Sequence, residues 1–124
     1  MITSVGVDII RIERVRNALT RWGERFLLRV YTPRECAYCR GRVHELAARF
    51  AGKEAISKSL GTGLRGIAWR EMEILPDARG KPIVYLCGKA LKRAQDLGLD
   101  SFAISLSHSD DSAVAFVVAT GKGG

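Results

Sequence analysis

No stretch of this sequence approaches the roughly 20 consecutive apolar residues that a membrane-spanning helix needs. The opening MITSVGVDII lacks the basic n-region and cleavage site of an export signal. Together these absences give the expectation of a cytoplasmic protein with no membrane partner. Cysteine is scarce: three residues, an odd number, make no disulfide framework and suit a reducing compartment. Two of them form Cys36-Ala37-Tyr38-Cys39, but Cys87 and His44 do not supply the second ligand pair that a zinc site needs. A thioredoxin-like motif would follow a strand, and this one lies in a short helical segment. Cys36 and Cys39 therefore read as small packed hydrophobes. Aromatic residues are only 7% of the chain and show no base-stacking pattern. No G-x-x-x-x-G-K-[ST] phosphate loop, internal repeat or low-complexity segment is present.

What the chain does have is arginine, unevenly placed. Its 124 residues, 47% hydrophobic and 27% charged, describe one globular domain spanning 1–124 with a net charge of +7. Residues 11–49 hold ten Arg against four Glu, or +6, while residues 1–10 contribute −1 and residues 50–124 contribute +2. A guanidinium forks onto two oxygens at once, so such a cluster predicts an acidic partner: a nucleic acid, a phosphorylated cofactor or an acidic protein.

Periodicity gives the elements. Ile2 to Ile10 reads as a buried strand, with Val5, Val7 and Ile9 on one face and Gly6 and Asp8 on the other. Asp8 either ends the strand in water or has a use for its charge, because buried carboxylates are paired or metal-bound. From Arg11 the spacing turns helical through Ile12, Val15, Leu19, Trp22 and Phe26, with Arg14, Arg21 and Arg25 on the opposite side. That side is a solvated face or a dock for something acidic. Thr32 and Pro33 mark an N-cap and first turn, running on to Arg40.

The stretch ELAARFAGKEAISKSLGTG, from Glu45 to Gly63, predicts a long helix closed by Gly61. A strand candidate over Ile67 to Leu75, a turn over 76–80 and a short strand over Lys81 to Leu86 follow. A helix over Cys87 to Leu97 is stopped by Gly98, and Ser101–Ser109 with Ala113–Ala119 makes a terminal hairpin. His108, at a strand end, is a hydrogen-bonded structural histidine or a ligand contact. The order predicts an α+β fold, an antiparallel sheet packed against a long central helix.

On that long helix Glu54 and Lys58 lie one turn apart among Phe50, Ala47 and Ala51. Their plain meaning is a surface i,i+4 pair worth a few tenths of a kcal/mol. With Asp8 added, the chemistry is different. Two carboxylates from separate elements suit Mg²⁺, which takes one or two protein carboxylates beside substrate phosphates, and a lysine adds charge for the same phosphates. The residues alone thus support a metal-assisted phosphate site.

Five segments carry a likeness to a known family. They are Gly6-Val7-Asp8-Ile9, Arg49-Phe50-Ala51-Gly52-Lys53-Glu54-Ala55-Ile56-Ser57-Lys58, Gly61-Thr62-Gly63, Gly80-Lys81-Pro82 and Ile104-Ser105-Leu106-Ser107-His108-Ser109. In this combination the chain resembles the small holo-(acyl-carrier-protein) synthases among the 4′-phosphopantetheinyl transferases. The resemblance implies transfer of 4′-phosphopantetheine from coenzyme A to a serine of apo acyl carrier protein, releasing adenosine 3′,5′-bisphosphate and serving fatty acid biosynthesis. It implies Asp8 and Glu54 as magnesium ligands and Lys58 beside the pyrophosphate. Arg49 and His108 would lie near the adenosine end, with backbone approach at Gly61, Gly80 and Pro82. Arg14, Arg21 and Arg25 would dock the acidic carrier, and the assembly would be a homotrimer with active sites at subunit boundaries. Gly52 stands where the family has alanine, an expected loss of about 1 kcal/mol of helix stability. A basic nucleic-acid-binding module without catalysis is the alternative, and it would need no magnesium.

Overall fold

The structure is a computed structural model that describes residues 1–124. Strand β1 (Ile2–Arg11) leads into helices α1 (Ile12–Trp22), α2 (Glu24–Val30), α3 (Pro33–Cys39) and α4 (Val43–Ser59). A 3₁₀ turn (Trp69–Glu71) precedes strands β2 (Met72–Pro76) and β3 (Pro82–Leu86); helix α5 (Gly88–Leu97) and strands β4 (Ser101–His108) and β5 (Ser112–Gly121) follow. The main sheet is antiparallel, ordered β1-β5-β4, and β2-β3 is a separate two-stranded hairpin. The α+β expectation holds, with antiparallel sheets and a long central helix.

Local chemistry explains most boundaries. Thr32 caps α3 as expected: its hydroxyl accepts from Glu35 N–H while Glu35 accepts from Thr32 N–H, with Pro33 in the first turn. Gly98 closes α5 with φ +71°. The single helical pattern read from Arg11 to Phe26 is broken, because Gly23 at φ +56° separates α1 from α2. The strand candidate at Ile67 becomes strand only from Met72; Glu71 accepts from Ala68 N–H and folds the preceding residues into the 3₁₀ turn.

Helix α4 is the centre of the core. Ala47, Ala51, Ala55 and Ile56 have no exposed surface, nor do Ala113, Ala115, Val117 and Ala119 of β5. A helix with elements on several sides needs small, apolar positions around most of its girth. Gly52 fits this setting better than the sequence suggested. A Cβ there would lie 2.5 Å from Ile74 Cδ1 and 3.3 Å from Ile104 Cδ1, so alanine's helix propensity is opposed by crowding.

The reading of β1 as a buried strand needs correction. Gly6 and Ile10 face α4, while Val5, Val7 and Ile9 are 55%, 53% and 69% exposed. Close approach selects the face: a side chain at Gly6 would run into the backbone of Ala55, so the strand presents its glycine to the helix. Val7 pairs with Phe116 in the β1–β5 register, and Phe116 is 47% exposed, so an apolar sheet face lies open in the single chain.

Candidate functional site

The contact of β1 with α4 brings Asp8, Glu54 and Lys58 together. Lys58 Nζ donates to Asp8 Oδ1 at 3.0 Å and to Val7 O at 3.1 Å. Ser4 Oγ donates to Ser59 O at 2.6 Å and fastens the same interface nearer the start of the strand. Burial pushes the Glu54 carboxyl above its ordinary pKa, and the Asp8 charge raises it further; Lys58 and Arg14 pull it back. The Asp8 charge thus lies near enough to raise the cost of ionising Glu54, a cost that a bound cation would relieve.

Asp8 and Glu54 are hard oxygen donors from two elements, and no third His, Cys, Asp or Glu joins them. A site with so few protein ligands fits Mg²⁺, which keeps water and takes phosphate oxygens, and does not fit a closed zinc site. Lys58 now supplies the positive charge to Asp8, and its half-exposed side chain has room to move off.

The other residues singled out in the sequence are distributed over the molecule. Gly61, at φ +78°, terminates α4. Gly80, at φ +89°, sits in the β2–β3 turn, where Asp77 Oδ1 accepts from the N–H groups of Arg79 and Lys81, and Pro82 begins β3 opposite Pro76. His108 ends β4, an edge strand on the far side of β5 from β1, with its ring centroid 5.1 Å from that of His44. Arg49 is only 3% exposed: it donates to Glu45 Oε1 at 2.8 Å and Ile74 O at 3.1 Å and lies over the Tyr38 ring. Arg14 and Arg21 on α1 and Arg25 on α2 are all exposed. Arg14 and Arg25, with Ile10, Val15, Trp22 and Phe26, help to line an open groove of about 530 Å³.

Sequence reasoning missed Lys53, beside Glu54, and Glu35. Both are completely buried, joined at 2.7 Å. Lys53 stands seven residues from Leu46 and from Leu60, within about 20° of both on the helix wheel, and this apolar stripe was the available signal. Cys36 and Cys39 pack on the core as read, with burial pushing the Cys39 thiol up to about 11, whereas Cys87 is free and exposed.

Comparison with known proteins supplies the relatives. Residues 4–117 match the family described as the 4′-phosphopantetheinyl transferase superfamily. A holo-[acyl-carrier-protein] synthase of Herpetosiphon aurantiacus is 50% identical over 123 residues, covering 94% of this chain and 97% of the relative. The crystal structure of holo-[acyl-carrier-protein] synthase from Neisseria meningitidis is similar with a TM-score of 0.86 at 37% identity, over 94% of this chain and 97% of the other. The Helicobacter pylori synthase, solved in complex with coenzyme A, gives 0.86 at 28% identity, over 94% and 99%. With its fold, its paired carboxylates and these relatives in agreement, the chain belongs to the 4′-phosphopantetheinyl transferase superfamily.

Proposed function

We propose that this chain is a holo-[acyl-carrier-protein] synthase that moves 4′-phosphopantetheine from coenzyme A to a serine of apo acyl carrier protein, leaving adenosine 3′,5′-bisphosphate. The observation that carries this reading is the meeting of Asp8, Glu54 and Lys58 at the β1–α4 contact, in a chain 50% identical to a synthase of that name. Asp8 and Glu54 would hold Mg²⁺, which when bound neutralises charge on the pyrophosphate. Lys58 then leaves Asp8 for a phosphate oxygen, where its ammonium stabilises the departing bisphosphate. The raised pKa of Glu54 suits a carboxylate near the incoming serine hydroxyl, able to accept its proton.

His108 and Arg49 are assigned to the adenosine end, and the Gly61 and Gly80–Pro82 turns to backbone contact with the nucleotide. For Arg49 this assignment requires Glu45 to yield one of its contacts. Arg14, Arg21 and Arg25 form the dock for the acidic carrier, with Trp22 and Phe26 offering an apolar floor in the groove that Arg14 and Arg25 line. Those exposed charges act chiefly on the association rate, so salt weakens them. The open face of Val5, Val7, Ile9 and Phe116 is where a homotrimer would close, placing active sites at subunit boundaries. The product serves fatty acid biosynthesis in the cytoplasm. No helix is long and apolar enough to cross a membrane.

The test is direct. The protein is incubated with apo acyl carrier protein, coenzyme A and Mg²⁺, and the carrier is weighed by mass spectrometry. A gain of one phosphopantetheine, lost with EDTA or in Glu54→Ala, is the expected result; no gain on any carrier would refute it. Arg14→Ala should raise KM for the carrier and leave coenzyme A affinity unchanged, and the reverse pattern would move the dock elsewhere. Binding of mixed-sequence RNA without magnesium is the outcome that favours the nucleic-acid alternative.

A further inference from the structure

The hairpin β2–β3 shares no ladder with the main sheet, so β2 has a strand partner on one edge only. Charged side chains from the helices take the place of a neighbour on the other edge. Ile74 N–H donates to Glu35 Oε2 at 2.8 Å, Met72 O accepts from Lys53 Nζ at 2.6 Å, and Ile74 O accepts from Arg49 Nε at 3.1 Å. Lys53 also donates to Trp69 O at 3.1 Å, and Glu35 Oε1 accepts from both Lys53 and Thr32 N–H. No buried side-chain polar atom lacks a partner, so the network is complete.

Apolar packing of Met72 and Ile74 holds the hairpin on the core, but apolar contact is non-directional and would tolerate sliding. Hydrogen bonds of set length and angle do not. Lys53 and Glu54 are consecutive on α4, about 100° apart on its circumference. One grips β2 while the other stands beside Asp8 of β1. A single helical turn thus ties the hairpin to the pair of carboxylates.

We propose that the buried Lys53–Glu35 pair is a positioning device that sets the β2–β3 turn, with Gly80 and Pro82, at a fixed distance from Glu54 and Lys58, so that one coenzyme A molecule spans both. This rests on the reading above that the turn approaches the nucleotide. Neither residue touches the substrate; both act through the placement of the hairpin.

The experiment measures coenzyme A affinity by calorimetry, and KM and kcat, for the full chain and three variants at a temperature where each is folded by circular dichroism. Glu35→Gln keeps the shape and an acceptor for Lys53, but can turn an NH₂ toward Ile74 N–H and break that bond. Lys53→Met keeps length and removes three bonds. Leu99→Ala, in a buried residue between α5 and β4, loosens the core elsewhere. Both pair variants should raise Kd and KM for coenzyme A about ten-fold, as expected for a misplacement below 1 Å. KM for the carrier should be unchanged, and Leu99→Ala should lower Tm without moving coenzyme A affinity.

Glu35→Gln with unaltered coenzyme A affinity overturns the proposal, as does an equal loss in Leu99→Ala. If Lys53→Met does not fold, Glu35→Gln decides alone. Failure of the unmodified chain to bind coenzyme A would instead remove the functional reading, and this inference with it.

Discussion

Replacing Gly6 with alanine perturbs the site without removing any of its polar groups. Strand β1 crosses α4 with only hydrogen between the two backbones at this point. A Cβ at position 6 would collide with Ala55 O and lie 2.9 Å from Ala55 C and 3.0 Å from Ser59 N. All three are backbone atoms of a helix, so no change of rotamer clears them. Ordinary contact requires about 3.5 Å, and the strand and helix must part by on the order of 1 Å. Overpacking against side chains that can yield costs about 1–3 kcal/mol, and a backbone obstacle belongs at or beyond the upper end. For a domain of this size that is a fall in Tm of roughly 10 °C or more.

The same displacement reaches the chemistry. Asp8 is two residues along β1 and is held to Lys58 at 3.0 Å, so a shift of that size breaks the pair and separates Asp8 from Glu54. Misplacement by about 1 Å costs on the order of 10²-fold in rate. The assay is phosphopantetheine transfer at several Mg²⁺ concentrations, run well below the Tm of each protein. Gly6→Ala should lose about 10²-fold in turnover and need more Mg²⁺ for half-maximal rate. Ser4→Ala is the control: it removes the bond to Ser59 O from the same interface, for about 1 kcal/mol, and should keep its activity. A folded Gly6→Ala protein with native turnover and native Mg²⁺ requirement would refute the argument that close approach places Asp8.

Other predictions concern neighbouring features. Because the folded pKa of Glu54 is raised, its ionisation works against the fold: the favourable contribution is present below the unfolded pKa and lost as pH rises through the folded one. Glu54→Gln should therefore abolish transfer while leaving Tm in EDTA at pH 7 unchanged or slightly higher, and a clear drop in Tm would contradict the sign. Gly52→Ala gains about 1 kcal/mol of helix propensity but crowds the buried Ile74, so chemical denaturation should show no net gain. In an Ile74→Val background the obstructing Cδ1 is gone and the same substitution should stabilise by about 1 kcal/mol; equal effects in both backgrounds would show that crowding is not the reason for the glycine. Val7→Asp puts a charge on the open apolar face and, on the proposal that a homotrimer closes there, should give a monomer in light scattering. A native assembly that survives it would place the interface elsewhere.

Much of the site was legible because its signals are local. Glu54 and Lys58 are one turn apart among Ala47, Phe50 and Ala51, and Asp8 is a carboxylate inside the apolar run VGVDII, so each was conspicuous from its neighbours alone. The Thr32–Pro33–Glu35 cap and the Gly98 stop are likewise written within four residues of the chain. The orientation of β1 was not legible in this way. Alternation places Val5, Val7 and Ile9 on one face but does not say which face meets the helix, and the answer came from Ala55, some fifty positions away.

By itself, then, the sequence determined the kinds of elements, most of their ends and the residues proposed to carry metal and phosphate chemistry. Spacing of two, three or four residues governs those properties directly. Only the tertiary structure decided which lysine is which. Lys53 and Lys58 occupy the same helix, five positions apart. One is sealed against Glu35 and the carbonyls of Trp69 and Met72, and the other is half exposed against Asp8. An ammonium is buried only where distant groups replace its water, and the partners of Lys53, 16 to 19 residues away, become its neighbours only when the chain has folded.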